Sequence, residues 1–184
     1  MSSHTSYHEL IKRHAADKNA LYQKLREAYE RRDASDLARK DWSDAAKRFR
    51  SYRSQVDELL EWCLESGVEW DANLRRFAFD YAEVDPYYFR SGYDLEKLLR
   101  KMKKLKLTDA EVRVLQGLLL RRIDTRAYRN FRDICRMMPL IETDEFAVSV
   151  FLRLRDTDPS VMHRAGLAVT YLSASDEAPQ MPMR

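Results

Sequence analysis

Residues that turn or break a polypeptide chain are scarce in this sequence of 184 residues. It contains only four glycines and five prolines, and the hairpin dipeptides Asn-Gly and Asp-Gly do not occur. No segment alternates apolar and polar residues between turn signals, as a half-buried strand would. Charged residues, in contrast, make up 34% of the chain, which is typical of helices with solvated faces. The sequence therefore predicts an all-α fold.

Cysteines and long apolar runs are scarce as well. The two cysteines, Cys63 and Cys135, each lie among apolar neighbours. This favours two buried, reduced thiols of a cytoplasmic protein, with a disulfide as the alternative. The N-terminal residues lack the pattern of a signal peptide, and no apolar run is long enough to span a bilayer. We expect a cytoplasmic protein that does not enter the membrane.

The motifs that bring catalytic groups together are also missing. There is no glycine-rich phosphate loop, no Gly-x-Ser-x-Gly elbow and no Glu-x-x-His motif. His4 and His8 are spaced to share a helical face, but no acidic or cysteine residue accompanies them at ligand spacing. We therefore expect no catalytic residue, no metal site and no cofactor. A helical enzyme or metal protein is the third hypothesis for function.

The first third of the chain has the pattern of two long helices, at about 5–32 and 36–66, separated by a short polar break. So short a connection predicts an antiparallel helical hairpin over residues 1–66. Homodimerisation through residues 36–66 is a further hypothesis, because an unbroken heptad pattern runs through the second helix. The residues of this pattern are Trp42, Ala45, Phe49, Tyr52, Val56, Leu59 and Cys63.

Shorter helical patterns follow in residues 67–173, with connections of a few residues each. The predicted helices lie at about 71–83, 94–105, 108–123, 126–138, 143–155 and 159–173. Their starts carry cap signals, such as Thr108 with Glu111, Thr143, and Asp158 before Pro159. This spacing predicts a stack of short helical hairpins. Residues 174–184, rich in Ser, Pro and Met, are predicted to form a disordered tail.

The last predicted helix carries a more specific pattern. The segment 156–161, Asp-Thr-Asp-Pro-Ser-Val, is followed by Ala165, Ala168 and Leu172. It resembles the second helix of a HEAT-type repeat, over about 25 of the 184 residues. The resemblance implies that Val161 and these three residues pack inward, and that residues 67–173 form an α-solenoid-like stack. It implies an architecture used mainly for binding rather than a chemistry.

Four aromatic residues lie within the segment 85–94, where Pro86 and Gly92 interrupt the helical pattern. Rings in such a segment either fill a core or contact a partner. We expect Tyr87, Tyr88 and Phe89 to be core residues that wedge the hairpin against the stack. Arg90 and Tyr93 are the residues expected to face outward.

Charge is distributed unevenly along the chain, whose formal net charge is only +3. Residues 54–89 carry a net charge of −7, and residues 90–136 carry +8. A basic surface with aromatic residues at its rim favours an acidic protein partner, and nucleic acid is the runner-up. The third interpretation is that the basic residues are solvated or neutralise residues 54–89. The candidate binding residues are Arg90, Tyr93, Lys97, Arg100, Lys101, Lys104, Arg122, Arg126, Arg129, Arg132 and Arg136.

Overall fold

A computed structural model describes residues 7–65, 69–125 and 130–172. These residues form ten α-helices and one 3-10 turn, with no strand among them, so the all-α prediction is confirmed. None of the helices in these three ranges is long and apolar enough to cross a membrane. The helices are α1 (Tyr7–Arg31), α2 (Asp36–Ser51), α3 (Gln55–Leu64), α4 (Ala72–Val84), α5 (Ser91–Met102), α6 (Asp109–Asp124), α7 (Phe131–Cys135), α8 (Met138–Ile141), α9 (Asp144–Leu152) and α10 (Pro159–Val169), and the 3-10 turn is Arg153–Arg155.

The chain divides into two compact units, unit 1 (Met1–Leu95) and unit 2 (Glu96–Arg184). The division falls within α5, and not between residues 66 and 67, where we placed a domain boundary. Compactness alone does not test which segments fold independently, so the predicted domain limits stay a prediction. The predicted disordered tail, residues 174–184, lies outside the described residues.

The long helical hairpin over residues 1–66 stays a prediction, but helices α1 and α2 of unit 1 pack against each other. Three ring pairs join them, with centroid distances of 5.8 Å for His14–Tyr52, 5.6 Å for Tyr22–Phe49 and 6.3 Å for Tyr29–Trp42. The residue numbers rise along one helix as they fall along the other, so the two helices run in opposite directions. The connection ends at Ser35, whose side chain accepts a hydrogen bond from the Ala38 amide and caps α2.

The prediction of one helix over residues 36–66 is wrong, because the chain leaves the helical conformation between α2 and α3. Ser54 begins α3 with a capping box. Its hydroxyl accepts from the Val56 amide at 3.2 Å, and the Asp57 carboxylate accepts from the Ser54 amide at 2.9 Å. The heptad pattern therefore runs across two helices rather than along one. Homodimerisation through residues 36–66 stays a prediction.

Helix α4 completes the core of unit 1, where it packs against α1 and α3. Phe77, Ala78, Tyr81 and Ala82 are all 0% exposed, so one face of α4 is entirely buried. Asp71 caps the N-terminus of α4, and its side chain accepts a hydrogen bond from the Leu74 amide at 2.8 Å. Helix α4, which we predicted to begin the stack of short hairpins, is thus a core element of unit 1.

Helix α6 is the central helix of unit 2 and packs against α7, α8, α9 and α10. Two hydrogen bonds join α6 to residues that are distant in sequence. Gln116 donates to the Ile141 carbonyl at 2.7 Å, and Arg164 of α10 donates to the Ile123 carbonyl at 2.6 Å. The predicted caps are confirmed at Thr108, which forms a capping box with Glu111, and also at Thr143 and Asp158.

The helix predicted over residues 126–138 is shorter than expected. Residues 126–129 lie outside the described residues, α7 ends at Cys135, and α8 begins at Met138. Pro139 explains the new start, since a residue without an amide hydrogen fits the first turn of a helix. The apolar residues Phe131, Cys135 and Met138 are buried as predicted.

Helix α10 agrees locally with the HEAT-type pattern. It begins at Pro159 after the Asp158 cap, and the four residues expected to face inward are all buried. Val161 is 5% exposed, Ala165 and Ala168 are 0% exposed, and Leu172 is 4% exposed. The buried face is confirmed, whereas the repeat architecture stays a prediction.

Candidate functional site

The predicted basic surface is divided between the two units. Arg90 and Tyr93 lie in unit 1, and both face outward as expected, with Tyr93 42% exposed. The other candidates lie in unit 2. Lys97 and Lys104 are exposed, and Lys101 is half-buried. Arg100 is exposed but forms an ion pair with Glu96 one helical turn before it.

The candidate arginines of residues 122–136 differ in their surroundings. Arg122 is only 4% exposed, so it lies in the interior of unit 2 and not on a binding surface. Arg132 is exposed, and the Arg136 guanidinium contacts the Asp133 carboxylate at 2.8 Å. Arg126 and Arg129 lie outside the described residues. Burial and local pairing leave fewer exposed cations than the charge count predicts.

Several acidic residues of the segment 54–89 pair within unit 1. Asp57 accepts from Lys18 at 2.7 Å, and Glu61 accepts from Arg53 at 2.6 Å. Asp80 lies 3.7 Å from the Arg76 guanidinium. These partners belong to α1, to α4 and to the residues just before α3, so these carboxylates have cations close to them inside their own unit.

The aromatic segment 85–94 buries only one of the three rings that we expected in the core. Tyr88 is 4% exposed, whereas Tyr87 is 65% and Phe89 is 52% exposed. The prediction that all three rings are core residues is therefore wrong for Tyr87 and Phe89. Tyr88 is the buried residue that holds the segment, and Phe89 lies at the surface.

The backbone of this segment explains why adjacent rings point to different sides. Asp85 and Arg90 both adopt the left-handed conformation, with φ of 50° and 77°. Asp85 ends α4, and its amide donates to the Tyr81 carbonyl at 3.0 Å. Side chains other than glycine rarely adopt this conformation, so the surrounding structure must fix it at both residues.

A buried hydrogen-bond network anchors Tyr88. Its hydroxyl lies 2.7 Å from the Tyr81 hydroxyl and 3.4 Å from an Asp94 carboxylate oxygen. The Tyr88 amide donates to the Ser91 hydroxyl at 3.1 Å. Burial, together with the Asp94 charge, raises the pKa of Tyr88, and burial likewise raises the pKa of Tyr81. Both phenols therefore stay protonated and act as hydrogen-bonding groups.

Helix α1 closes the other side of the Tyr88 ring. The His14 ring meets it edge-on at a centroid distance of 4.9 Å, and the Lys18 ammonium lies 5.0 Å from its centroid. His14 Nδ1 lies 2.6 Å from the Ser54 hydroxyl, so the same histidine contacts the start of α3. The Lys18–Asp57 pair beside it fixes α1 to that start as well.

The pKa values of this network follow from its burial. His14 is 2% exposed, and burial lowers its pKa to about 4, although the nearby Asp57 opposes this change. Burial alone would raise the pKa of Asp57. The hydrogen bond from Lys18 and the nearby His14 outweigh that effect and hold its pKa below the usual value. At neutral pH the network consists of a neutral imidazole beside a Lys–Asp ion pair.

Phe89 joins two rings from the α1–α2 hairpin in an aromatic cluster (Tyr22, Phe49 and Phe89). Phe89 stacks on Tyr22 at a centroid distance of 5.7 Å and an interplanar angle of 15°. It meets Phe49 edge-on at 5.8 Å, and Tyr22 lies 5.6 Å from Phe49. Tyr22 remains 41% exposed and Phe89 52% exposed, so the cluster is open to solvent. Neither ring of the hairpin was among our candidate binding residues.

Arginines are the sequence neighbours of two rings of this cluster. Arg48 and Arg50 flank Phe49 on α2, and Arg90 follows Phe89. All three arginines are exposed, and none has an acidic partner within 4.0 Å among the described residues. We call these three residues the arginine rim.

Comparisons of the chain with family models, with curated proteins and with solved structures found no match.

Proposed function

We propose that the protein is a non-enzymatic helical interaction module, and that the aromatic cluster with its arginine rim binds an acidic segment of a protein partner. The observation that carries this proposal is the exposure of the stacked Tyr22 and Phe89 rings, at 41% and 52%. The proposed site differs from the surface of residues 90–136 that the charge distribution favoured, and the two share Arg90.

Physical chemistry supports a partner at this cluster. A folded chain usually covers large rings, and aromatic residues and arginine are the residues that contribute most to protein–protein binding. The cluster is also held in place before binding. Tyr88 is anchored in the core directly beside Phe89, and Asn19 donates to the Tyr87 carbonyl at 2.8 Å. A fixed ring loses little conformational entropy when a partner covers it.

The charge of the rim indicates the chemistry of the partner. The arginine rim supplies three exposed cations that are sequence neighbours of Phe49 and Phe89, whereas the carboxylates of Asp57 and Glu61 are paired elsewhere in unit 1. Complementary charge steers association and disfavours basic partners. An apolar or aromatic side chain flanked by Asp or Glu fits this combination of exposed rings and arginines.

Nucleic acid is the second candidate, because exposed rings beside arginines also suit base stacking and phosphate contacts. The two candidates differ in how strongly their affinity depends on ionic strength. A single-stranded nucleic acid would lose affinity steeply with ionic strength, since counterions are released as phosphates are neutralised. A protein segment whose apolar side chain covers Phe89 would depend less on salt.

The test is a selection of binding peptides from a displayed random library, using the full chain as bait. We expect the selected peptides to combine an apolar or aromatic residue with Asp or Glu. Phe89→Ala should weaken their binding by about 30-fold or more, as for a residue at the centre of an interface. Phe151→Ala is the matched control, because Phe151 lies in unit 2 and is 46% exposed.

Charge reversal tests the rim separately. Arg50→Glu should slow the association of the acidic peptides and reduce its salt dependence, while Arg155→Glu, at an exposed position of unit 2, should leave both unchanged. Peptides that bind the Phe89→Ala and Phe151→Ala proteins equally well would refute the proposal. Labelled single-stranded DNA and RNA are tested in parallel. Binding of these oligonucleotides that depends on Phe89, without selected peptides, would favour nucleic acid instead.

A further inference from the structure

One imidazole and two carboxylates converge at the end of unit 1 where α1 begins. His8 Nε2 lies 3.5 Å from an Asp80 carboxylate oxygen and 3.2 Å from a Glu83 carboxylate oxygen. The three potential ligand atoms all lie within 4.8 Å of one another. His8 belongs to the first turn of α1, whereas Asp80 and Glu83 lie three residues apart on one face of α4.

The packing of α1 against α4 holds these groups together. Tyr7 meets the buried Phe77 ring edge-on at a centroid distance of 5.5 Å, and Ile11, one turn beyond His8, is 0% exposed. His8 therefore lies between a ring that contacts α4 and a fully buried side chain. The arrangement depends on tertiary packing and not on a local sequence motif, so the sequence alone gave no sign of it.

We propose that His8, Asp80 and Glu83 bind a divalent transition-metal ion, with Zn²⁺ as the best-fitting ion. Ligand atoms about 2.1 Å from a tetrahedral zinc lie about 3.4 Å from one another. The His8 contacts at 3.2 and 3.5 Å already match that separation. Three protein ligands leave a fourth position for water, as in zinc sites that are not closed by four side chains.

The chemistry of the ligands selects the class of ion. An imidazole nitrogen favours zinc and its first-row neighbours over Mg²⁺ and Ca²⁺, which prefer oxygen ligands alone. With His8 neutral, the two carboxylates carry two negative charges, which one divalent cation balances. The Arg76 guanidinium, 3.7 Å from the second Asp80 oxygen, orients that carboxylate from outside the ligand set.

The environment of Asp80 also fits a cation-binding role. Its side chain is 19% exposed, and the Glu83 side chain beside it is 46% exposed. The site is thus partly desolvated on one side and open to solvent on the other, so an ion has a path to it.

Titration of the metal-depleted full chain with Zn²⁺, followed by calorimetry, tests the proposal. We expect one ion per chain, no competition from Mg²⁺, and a Zn²⁺-dependent rise in melting temperature. His8→Gln and Glu83→Gln should each weaken binding by more than about 100-fold, since loss of an outer-shell partner alone costs about 10–100-fold. Co²⁺ in place of Zn²⁺ should give visible absorption in the wild type and not in either variant.

Two matched variants control for nonspecific effects. His163→Gln removes an exposed histidine of α10, and Glu9→Gln removes an exposed carboxylate next to His8 that pairs with Lys12. Both should bind Zn²⁺ as the wild type does. Unchanged affinity in Glu83→Gln, whose exposed side chain can be replaced without disturbing the core, would overturn the proposal. Binding lost in His4→Gln but retained in Glu83→Gln would overturn it too, as would an absence of binding in the wild type.

Discussion

Acidification from pH 7 to pH 5 should destabilise unit 1 through a single buried histidine. His14 lies between Tyr88 and the start of α3 and is 2% exposed. Its Nε2 atom has no hydrogen-bond partner among the residues that the structure describes. Burial lowers its pKa from 6.5 to about 4. Within the pH range from 5 to 7, the folded state therefore keeps His14 neutral while the unfolded chain takes up a proton.

The sign and size of the effect follow from proton linkage. Because the folded pKa is the lower one, stability is complete above the unfolded value of 6.5 and falls as the pH decreases towards about 4. Between pH 7 and pH 5 the loss amounts to about 1.5–2 kcal/mol.

Urea unfolding followed by tryptophan fluorescence measures this loss in the relevant part of the chain. All three tryptophans, Trp42, Trp62 and Trp70, lie in unit 1, so the signal reports on that unit. We expect the free energy of unfolding to fall by the stated amount between pH 7 and pH 5. His14→Phe, which keeps a ring beside Tyr88 but cannot titrate, should remove most of this dependence.

The difference between the wild type and His14→Phe separates the contribution of His14 to the pH dependence of stability from the contributions of other groups. The raised pKa of Asp80 acts in the opposite direction, since the folded state then binds a proton more readily than the unfolded chain. This contribution is common to the wild type and His14→Phe, so it cancels in their difference. His163→Gln should keep the wild-type dependence. An equal dependence in the wild type and His14→Phe would refute the linkage to His14.

Three further predictions concern stability. Phe89→Ala should cost about 1–2 kcal/mol by urea unfolding, less than a fully buried phenylalanine, because its ring is 52% exposed; a loss above that range would mean that Phe89 is a core residue. Tyr88→Phe should cost about 1–3 kcal/mol because the buried Tyr81 hydroxyl loses this partner, and Tyr81→Phe should cost less because the Tyr88 hydroxyl keeps Asp94. The double variant should cost less than the sum of the two. Strict additivity would contradict the shared hydrogen bond. Thr108→Ala should lower the melting temperature of the full chain through a loss of about 1 kcal/mol, and an unchanged melting curve would show that this cap contributes nothing.

The sequence was a good guide where structure is decided by neighbouring residues. The starts of α6, α9 and α10 follow from Thr108, Thr143 and Asp158, because a cap needs only a side chain and the amides that follow it. The buried face of α10 was predicted for the same reason, since helical periodicity alone decides which of its residues share a face.

Prediction failed where two signals competed along one segment. The heptad pattern favoured a continuous helix through residues 52–54, whereas Ser54 and Asp57 formed the capping box of a new helix. Contacts from α1 support the break, since His14 bonds to Ser54 and Lys18 to Asp57. Those partners lie far away in sequence, so the pattern of residues 36–66 could not reveal them.

The exposed rings were unpredictable for a similar reason. Four aromatics in one short segment have the same local chemistry, and only the contacts of each ring decide its burial. Tyr88 meets Tyr81 and His14 in the interior, whereas Phe89 meets Tyr22 and Phe49 at the surface. The same limitation hid the proposed metal site, because His8 gains its acidic neighbours only when α1 packs against α4.

Helix α1 links the two proposed sites without making them one. His8 lies in its first turn, and Tyr22 lies 14 residues later, which corresponds to about 21 Å along a helix. The buried His14 network lies between them. Substitutions that far apart, with no shared partner, should have additive effects. Glu83→Gln should therefore weaken Zn²⁺ binding and leave peptide binding unchanged, and Phe89→Ala should do the reverse. Weakening of both kinds of binding by either substitution would contradict the independence of the two sites.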